Sequence, residues 1–457
     1  MNEDRDGDGL RSAVSRRDVL KYLAMGSAAV AAAPVLAACG GSSGGGGTPS
    51  GGGSSSSSSS GGSTASGSVQ DITKFVTIDT AHAGKGLTID MGVVLAFTGP
   101  GAFFGRVMSN GCKLAAKHIE ALGGPKFNFI FKDHKSGDPQ AGVNAVKELG
   151  FSKVPVMLAS YVDDLGAMLP GQKQYQIFTM DGGGGTSTFA QGAPYFWGMR
   201  AVTPNDAAPG AAKYMTEAMK IQQVQLLGWD LGALNEGILK NLRATLKKYN
   251  ITEASDFIPV KVGATDYSAA IQKLKSAKPK MVWASIYGND PGYFMKQYTA
   301  SGINAPVTIF EFTADAAKVA GSAYDGVYFA YDFFNPKKPD NGWSQIFIDE
   351  YNKEYNTDPD FYAANYYEDT FAMWDVLQRV LAAGGDPKKG VDWDKQMQAK
   401  PQFVSVYGGD QNTAGEIVLS TTTHSVTRRP MSISQYKGGN VTPLAYYNID
   451  AADYKLA

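Results

Sequence analysis

Thiols, imidazoles and net charge are all scarce in this chain: its 457 residues hold two cysteines and four histidines, and the formal charge at pH 7 is −1. So even a balance sets up no bulk field for nucleic acid or an acidic membrane face, and specificity has to come from a local site. Of the two cysteines, Cys39 sits in a processing signal, which leaves Cys112 as a lone thiol and a mature fold expected to carry no disulfide. Cys112 falls on the apolar stripe Met108, Cys112, Ala115, Ile119 and Leu122 of an expected helix, the place of a buried, inert cysteine. The histidines, His82, His118, His134 and His424, are scattered, with no helical pair to hold a metal. No serine or cysteine stands in a recognised nucleophile setting, so neither catalysis, a metal nor a cofactor is expected. After the N-terminal region there is no apolar run of about 18 to 20 residues, the length that would span a bilayer as a helix.

What is present begins with an address. Ser15-Arg16-Arg17-Asp18-Val19-Leu20-Lys21 precedes a short Ala-rich run, Tyr22 to Val35, that ends in Leu36-Ala37-Ala38-Cys39. An arginine pair, a short weakly apolar stretch and small residues before a cysteine read as a twin-arginine signal with a lipobox over residues 1–39, cleaved before Cys39 and lipidated on its sulfur. From Gly40 to Ser68 the chain is almost wholly Gly and Ser, which cannot repay the ordering of its backbone. Residues 40–86 are therefore expected to form a flexible tether and N-terminal extension, the Gly/Ser part reaching on the order of 30 Å. The expected location is extracytoplasmic, held to a membrane through the lipid alone. Within the tether, Gly40-Gly41-Ser42-Ser43-Gly44 fits a nucleophile elbow, but a Gly/Ser tract supplies neither the strand before nor the helix after that the elbow needs.

From Thr88 the sequence alternates short β-rich runs with amphipathic stretches, the pattern of parallel sheets covered by helices. Strands are expected at Thr88–Ala96, Phe127–Lys132, Val154–Ala159 and Ile177–Met180, with helices between them. A second series follows Thr203, with strands at Gln223–Leu227, Ser255–Val260, Lys280–Ser285 and Val307–Phe310. The fold class is thus α/β, with two doubly wound lobes of similar design. Ligands in such sheets sit beyond the carboxyl ends of the strands. Those ends hold Phe97 to Phe104, Ser160 to Leu165, Asp181 to Thr188, Gly228 to Leu234, Ile286 to Asp290 and Glu311 to Thr313.

The opening Gly92-Val93-Val94-Leu95-Ala96-Phe97-Thr98-Gly99-Pro100, through Phe104-Gly105 to Leu122-Gly123-Gly124, resembles type I periplasmic binding proteins of the branched-chain amino acid and amide family. Asp138-Pro139, Pro204-Asn205-Asp206, Tyr287 and Glu311 follow in the same order, so the likeness runs from about residue 88 to the C-terminus. It implies two Rossmann-like lobes joined by three crossovers, 87–204 plus 335–422 and 205–334 plus 423–457, with a small-molecule solute in the cleft. It also implies a monomer that serves an ABC permease and ATPase and binds no nucleic acid. By the resemblance, Phe104 stacks on the ligand, Ser160, Tyr161 and Val162 face it, and Gly183 and Gly185 fall where donors meet a ligand carboxylate. From the other lobe, Tyr287 contacts the ligand and Glu311 binds its ammonium, with Leu234 and Tyr362 nearby.

Physical chemistry is consistent with these roles but leaves alternatives open. The run Gly182 to Gly185 lets backbone N–H groups turn toward an anion unobstructed. A carboxylate such as Glu311 is costly to enclose without a cation, so it meets either a ligand or a protein partner. Where amino acid binders of the family carry a Ser/Thr-rich loop, this chain has Tyr161-Val162-Asp163-Asp164, and a glycine replaces a threonine in the second loop. Asp163, Asp164, Asp181, Asp290 and Glu311 could make the cleft acidic, favouring a cationic or amide-bearing solute, or could serve as caps and solvated groups. The aromatic residues nearby would also suit a flat solute. A sensor that hands its ligand to a signalling protein is the alternative to a transport receptor, since closure of the lobes serves either output.

Overall fold

The computed structural model describes residues 67–99, 101–160, 162–183, 192–200, 205–232, 234–449, 451 and 453–457. The expected signal, the lipidated Cys39 and the Gly/Ser tract up to residue 66 lie outside the described residues. The expected extension beyond them is folded: a 3-10 turn at Val69–Lys74 buries Ile72, and the Trp374 indole N–H donates to the Ala83 carbonyl at 2.8 Å.

The first series runs β1 (Thr88–Leu95), α1 (Ala102–Ala121), β2 (Lys126–Asp133), α2 (Pro139–Phe151), β3 (Val156–Ala159), α3 (Val162–Tyr175), β4 (Phe178–Asp181) and β5 (Phe196–Gly198). The strands form one parallel sheet in the order β2-β1-β3-β4-β5. β1 reads as a nearly continuous apolar run because helices cover both faces of a parallel sheet. The start of α2 follows from its sequence: Asp138 accepts from the Gln140 and Ala141 N–H groups, and Pro139 stands where a missing N–H costs nothing.

The second series repeats the design with α4 (Ala208–Glu217), β6 (Gln223–Trp229), α5 (Leu234–Lys248), β7 (Thr252–Glu253), β8 (Ile258–Val260), α6 (Ser268–Ala277), β9 (Val282–Ser285), α7 (Asp290–Ala300), β10 (Val307–Ile309), α8 (Ala314–Ala320) and β11 (Tyr328–Asp332). Its parallel part has the order β8-β6-β9-β10-β11, the same winding as the first sheet. The expected strand Ser255–Val260 shortens to Ile258–Val260. The Gln225 side chain accounts for this, since it accepts from the Ser255 hydroxyl at 2.7 Å and donates to the Asp256 carbonyl at 2.8 Å.

Beyond β11 come α9 (Gly342–Tyr355), α10 (Phe361–Ala382) and α11 (Gly390–Ala399). They are followed by β12 (Gln402–Asp410), β13 (Thr413–Leu419), β14 (Val426–Arg428), β15 (Pro430–Lys437), β16 (Asn440–Asn448) and β17 (Lys455–Leu456). β12, β13 and β14 make a separate antiparallel sheet, while β15, β16 and β17 extend the second sheet antiparallel from β11. The chain thus passes between the two main sheets after β5, after β11 and again at the β14–β15 junction. α10 is buried along almost its whole length and packs on α1 through Gly111, where a Cβ would stand 2.2 Å from the Ala363 carbonyl oxygen. Cys112 lies beside that seam, and burial pushes its thiol up to about 12, which leaves it protonated and inert. Among the described residues, no helix is long and apolar enough to cross a membrane.

Candidate functional site

Both main sheets present their carboxyl ends to one buried polar cluster. The first sheet contributes Ser160 after β3, Gly183 after β4 and Arg200 after β5; the second contributes Glu311 after β10 and Asp332 at the end of β11, while Tyr287 stands after β9. Helix starts bring Phe104 on the first turn of α1 and Tyr362 on the first turn of α10, where Asp360 caps the helix by accepting from the Ala363 N–H.

The Tyr362 hydroxyl is the meeting point. It donates to Glu311 Oε2 at 2.9 Å and accepts from Arg200 Nη1 at 3.2 Å, while its ring meets Phe104 edge-on with centroids 5.0 Å apart. Arg200 Nη1 also donates to the Gly183 carbonyl at 3.1 Å, and Nε donates to Asp332 Oδ2 at 2.7 Å. Burial pushes the Glu311 carboxyl up, and the Arg200 charge and Tyr362 hydroxyl pull it back only in part. Glu311 is 5% exposed and Arg200 is 4% exposed; among the described residues, neither Glu311 Oε1 nor Arg200 Nη2 has a hydrogen-bond partner. Of the two partners considered for Glu311, the protein supplies the Tyr362 phenol as a hydrogen-bond donor, with the Gly288 backbone also close by, and no cation is bonded to the carboxylate among the described residues.

Beneath this cluster the three passages between the sheets are tied together. Arg429, between β14 and β15, donates from Nε to Asp332 Oδ1 at 2.8 Å, from Nη1 to the Met199 carbonyl at 2.8 Å and from Nη2 to Asn365 at 2.6 Å. Its Nη2 also reaches Glu368 and the Tyr407 hydroxyl, and Glu368 accepts further from the Ser405 hydroxyl and the Val406 N–H. Burial opposes ionisation of Asp332, but Arg200 and Arg429 outweigh it and hold this carboxyl below its ordinary value.

Ser160 is buried with its hydroxyl 3.2 Å from His134 Nε2. Because His134 Nδ1 accepts from the Gly137 N–H at 3.0 Å, the ring proton sits on Nε2 and points at Ser160. Burial draws this imidazole down to about 4. A histidine held neutral by the fold loses stability as pH falls from its free value of about 6.5 toward the folded one. NMR of the His134 ring should therefore show no titration between pH 8 and about 5.5; a midpoint near 6.5 would mean the ring is in water.

The structure places the remaining expected residues as follows. Gly183 has no room for a side chain, since a Cβ would stand 2.9 Å from that of Ser160, and this is the local reason for glycine here. Its N–H donates to Asp181 Oδ1 at 2.7 Å and its carbonyl serves Arg200, so both backbone groups are engaged within the protein. Tyr287 is half-buried and lies edge-on to Trp229 with centroids 5.1 Å apart. Trp229 donates to Asp290 at 2.7 Å, and the Gly263 N–H does so at 3.0 Å, so three of the five acids considered, Asp181, Asp290 and Glu311, accept from the protein. Tyr161 and Gly185 lie outside the described residues. Val162 and Leu234 begin α3 and α5, and only their backbone is described, as for Asp163 and Asp164. Arg200, Asp332, Arg429 and Glu368 were not singled out in the sequence. The signal for Arg200 was a charge directly after the apolar run Phe196–Met199, while the others become neighbours only through the passages between sheets.

Two parallel sheets of one winding, their strand ends converging on a shared polar cluster at the crossings between them, define a two-lobed solute-binding protein. Residues 88–440 match the periplasmic binding protein family, and the chain belongs to it. It is similar to the Leu/Ile/Val-binding protein homolog 1 of Brucella abortus (strain 2308), 23% identical over 328 residues that cover 70% of this chain and 84% of that one. It is also 24% identical to the leucine-specific-binding protein of Salmonella typhimurium, over 56% of this chain and 70% of that protein. Among solved structures, the leucine-binding protein of Thermotoga maritima superposes with a TM-score of 0.67 at 16% identity, covering 78% of this chain and 98% of that one. An ABC transporter solute binding protein from R. palustris in complex with benzoate gives 0.67 at 20% identity, covering 81% and 98%. The fold is that of type I periplasmic binding proteins, and the relatives are binding proteins, not enzymes. Membership of this family implies an extracytoplasmic location.

Proposed function

We propose that this chain is the lipid-anchored solute receptor of an ABC importer, binding a small amino acid-like, amide or aromatic solute by closure of two lobes. The observation that carries this is the convergence of Glu311 from one sheet and Arg200 from the other on the Tyr362 hydroxyl, with buried polar valence left over on both. The lobes run 87–204 plus 335–422 and 205–334 plus 423–457, and solute binding shifts the population toward the closed arrangement that a permease reads. Cys39 carries the anchor, and the Gly/Ser tract gives the body freedom to dock. Phe104, Ser160 and Tyr287 line the guest, and Glu311 meets its cationic or hydrogen-bond donor group. The names of the relatives, binders of leucine, isoleucine and valine on one side and of benzoate on the other, support this range of solutes.

Calorimetry of the full chain tests the role of Glu311. Glu311→Gln keeps the shape and removes the charge, so affinity for leucine should fall on the order of 10- to 100-fold, the worth of one charge-assisted hydrogen bond. Benzoate, which has no ammonium, should be affected far less. Unchanged leucine affinity in a wild-type protein that binds leucine would remove Glu311 from the site.

A further inference from the structure

We infer that Arg200 is the anion-reading residue of the cleft, so that the solute must carry a carboxylate and its head group is recognised by a side-chain charge and not by the Gly183 N–H. This rests on the solute-receptor reading above and deepens it. A buried guanidinium nitrogen without a partner is rare and calls for an explanation, because the desolvation of that donor is otherwise uncompensated. Among the described residues, Arg200 Nη2 is such a donor, while Nε and Nη1 of the same group are fixed by Asp332, the Gly183 carbonyl and Tyr362. The guanidinium is further held against the Phe361 and Tyr362 rings, 4.8 Å from each centroid, so its orientation is set before any ligand arrives.

Two other observations point the same way. The Gly183 N–H, which the glycine run would offer to an anion, already donates to Asp181. Ser160, the hydroxyl on the same side, is neutral and tied to His134, so it adds no charge. A zwitterion would set its ammonium on Glu311 and its carboxylate on Arg200. An aromatic acid would bring a carboxylate to Arg200 alone. Either way the carboxylate is the shared chemistry. Because Glu311 and Arg200 are both bonded to the one Tyr362 hydroxyl, their remaining atoms would be met by one end of a small solute.

Matched pairs test this by calorimetry on the full chain: leucine against leucinamide, and benzoate against benzamide. The wild type should prefer the acid in whichever pair it binds, and that pair identifies an amino acid or an aromatic acid as the source of the carboxylate. Arg200→Gln should lower the acid-to-amide affinity ratio on the order of 10- to 100-fold, and Arg200→Lys, which keeps the charge but not the fork, should retain part of it. A merely positioning Arg200 would weaken acid and amide alike and leave the ratio unchanged, which overturns the inference, as would a wild type that prefers the amide. If Arg200→Gln fails to fold, the ratio in Arg200→Lys decides: lowered supports the inference, unchanged overturns it. Binding of neither pair by the wild type would bring down the solute reading itself, and this inference with it.

Discussion

Replacing Arg429 by alanine should destabilise the folded body by about 3–5 kcal/mol, the cost of removing one partner from a buried ion network. The guanidinium is 0% exposed and serves five partners drawn from different parts of the chain, Asp332, the Met199 carbonyl, Asn365, Glu368 and Tyr407. Without it Glu368 keeps only Ser405 and Val406, and Asp332 keeps Arg200 and Tyr407, so two buried carboxylates are left short of compensating charge. Scanning calorimetry should record a fall in Tm of about 4–6 °C for a body of this size. Hydrogen exchange should accelerate first around Met199 and Asp332, where the passages are tied. A change below about 1 kcal/mol, the value typical of exposed pairs, would show that the network is solvated and that the crossings are not held through it.

Gly111→Ala should cost about 3 kcal/mol, at the upper end for overpacking, because the new methyl meets main chain and not a movable side chain. A Cβ there stands 2.2 Å from the Ala363 carbonyl oxygen, and the Tyr367 amide nitrogen is 3.1 Å away. Relief requires α1 to move off α10. That movement separates Phe104 from Tyr362, which stand on the first turns of those two helices with rings 5.0 Å apart. Solute affinity should therefore fall together with stability. Gly237→Ala is the control, since a Cβ at that position in α5 meets nothing within 4 Å. It should raise stability by up to about 1 kcal/mol, the ordinary gain of alanine over glycine in a helix. Denaturant titration of both variants, beside calorimetry with leucine and benzoate, reads the two effects separately. If Gly111→Ala were neutral, the α1–α10 seam would have to be looser than the structure shows.

Much of the fold was legible because its signals are local. Asp138-Pro139 announces α2, the apolar runs from Thr88 and Gln223 announce β1 and β6, and the alternation of such runs with amphipathic stretches gives two parallel sheets. The antiparallel elements after β11 were not read, because β12, β13 and β14 pair with one another and β15 pairs with β11, contacts that no window of sequence contains. The candidate site divides the same way. Glu311 and Phe104 stand next to a strand end and a helix start, positions that a reading of the chain reaches, whereas Arg200, Asp332 and Arg429 are separated by 132 and 97 residues along the chain.

The sequence by itself determined the winding of the two sheets, the apolar core and the polar residues at the strand ends, since period, capping and turn chemistry act over a few residues. Only the tertiary structure decided which of those polar groups are spent on one another and which keep a free valence. That Gly183 gives its N–H to Asp181, that Tyr362 bridges Glu311 and Arg200, and that one carboxylate ties three crossings are matters of burial and hydrogen-bond geometry. Such terms depend on which distant segments exclude water from a group, and no residue carries that information in its own neighbourhood along the chain.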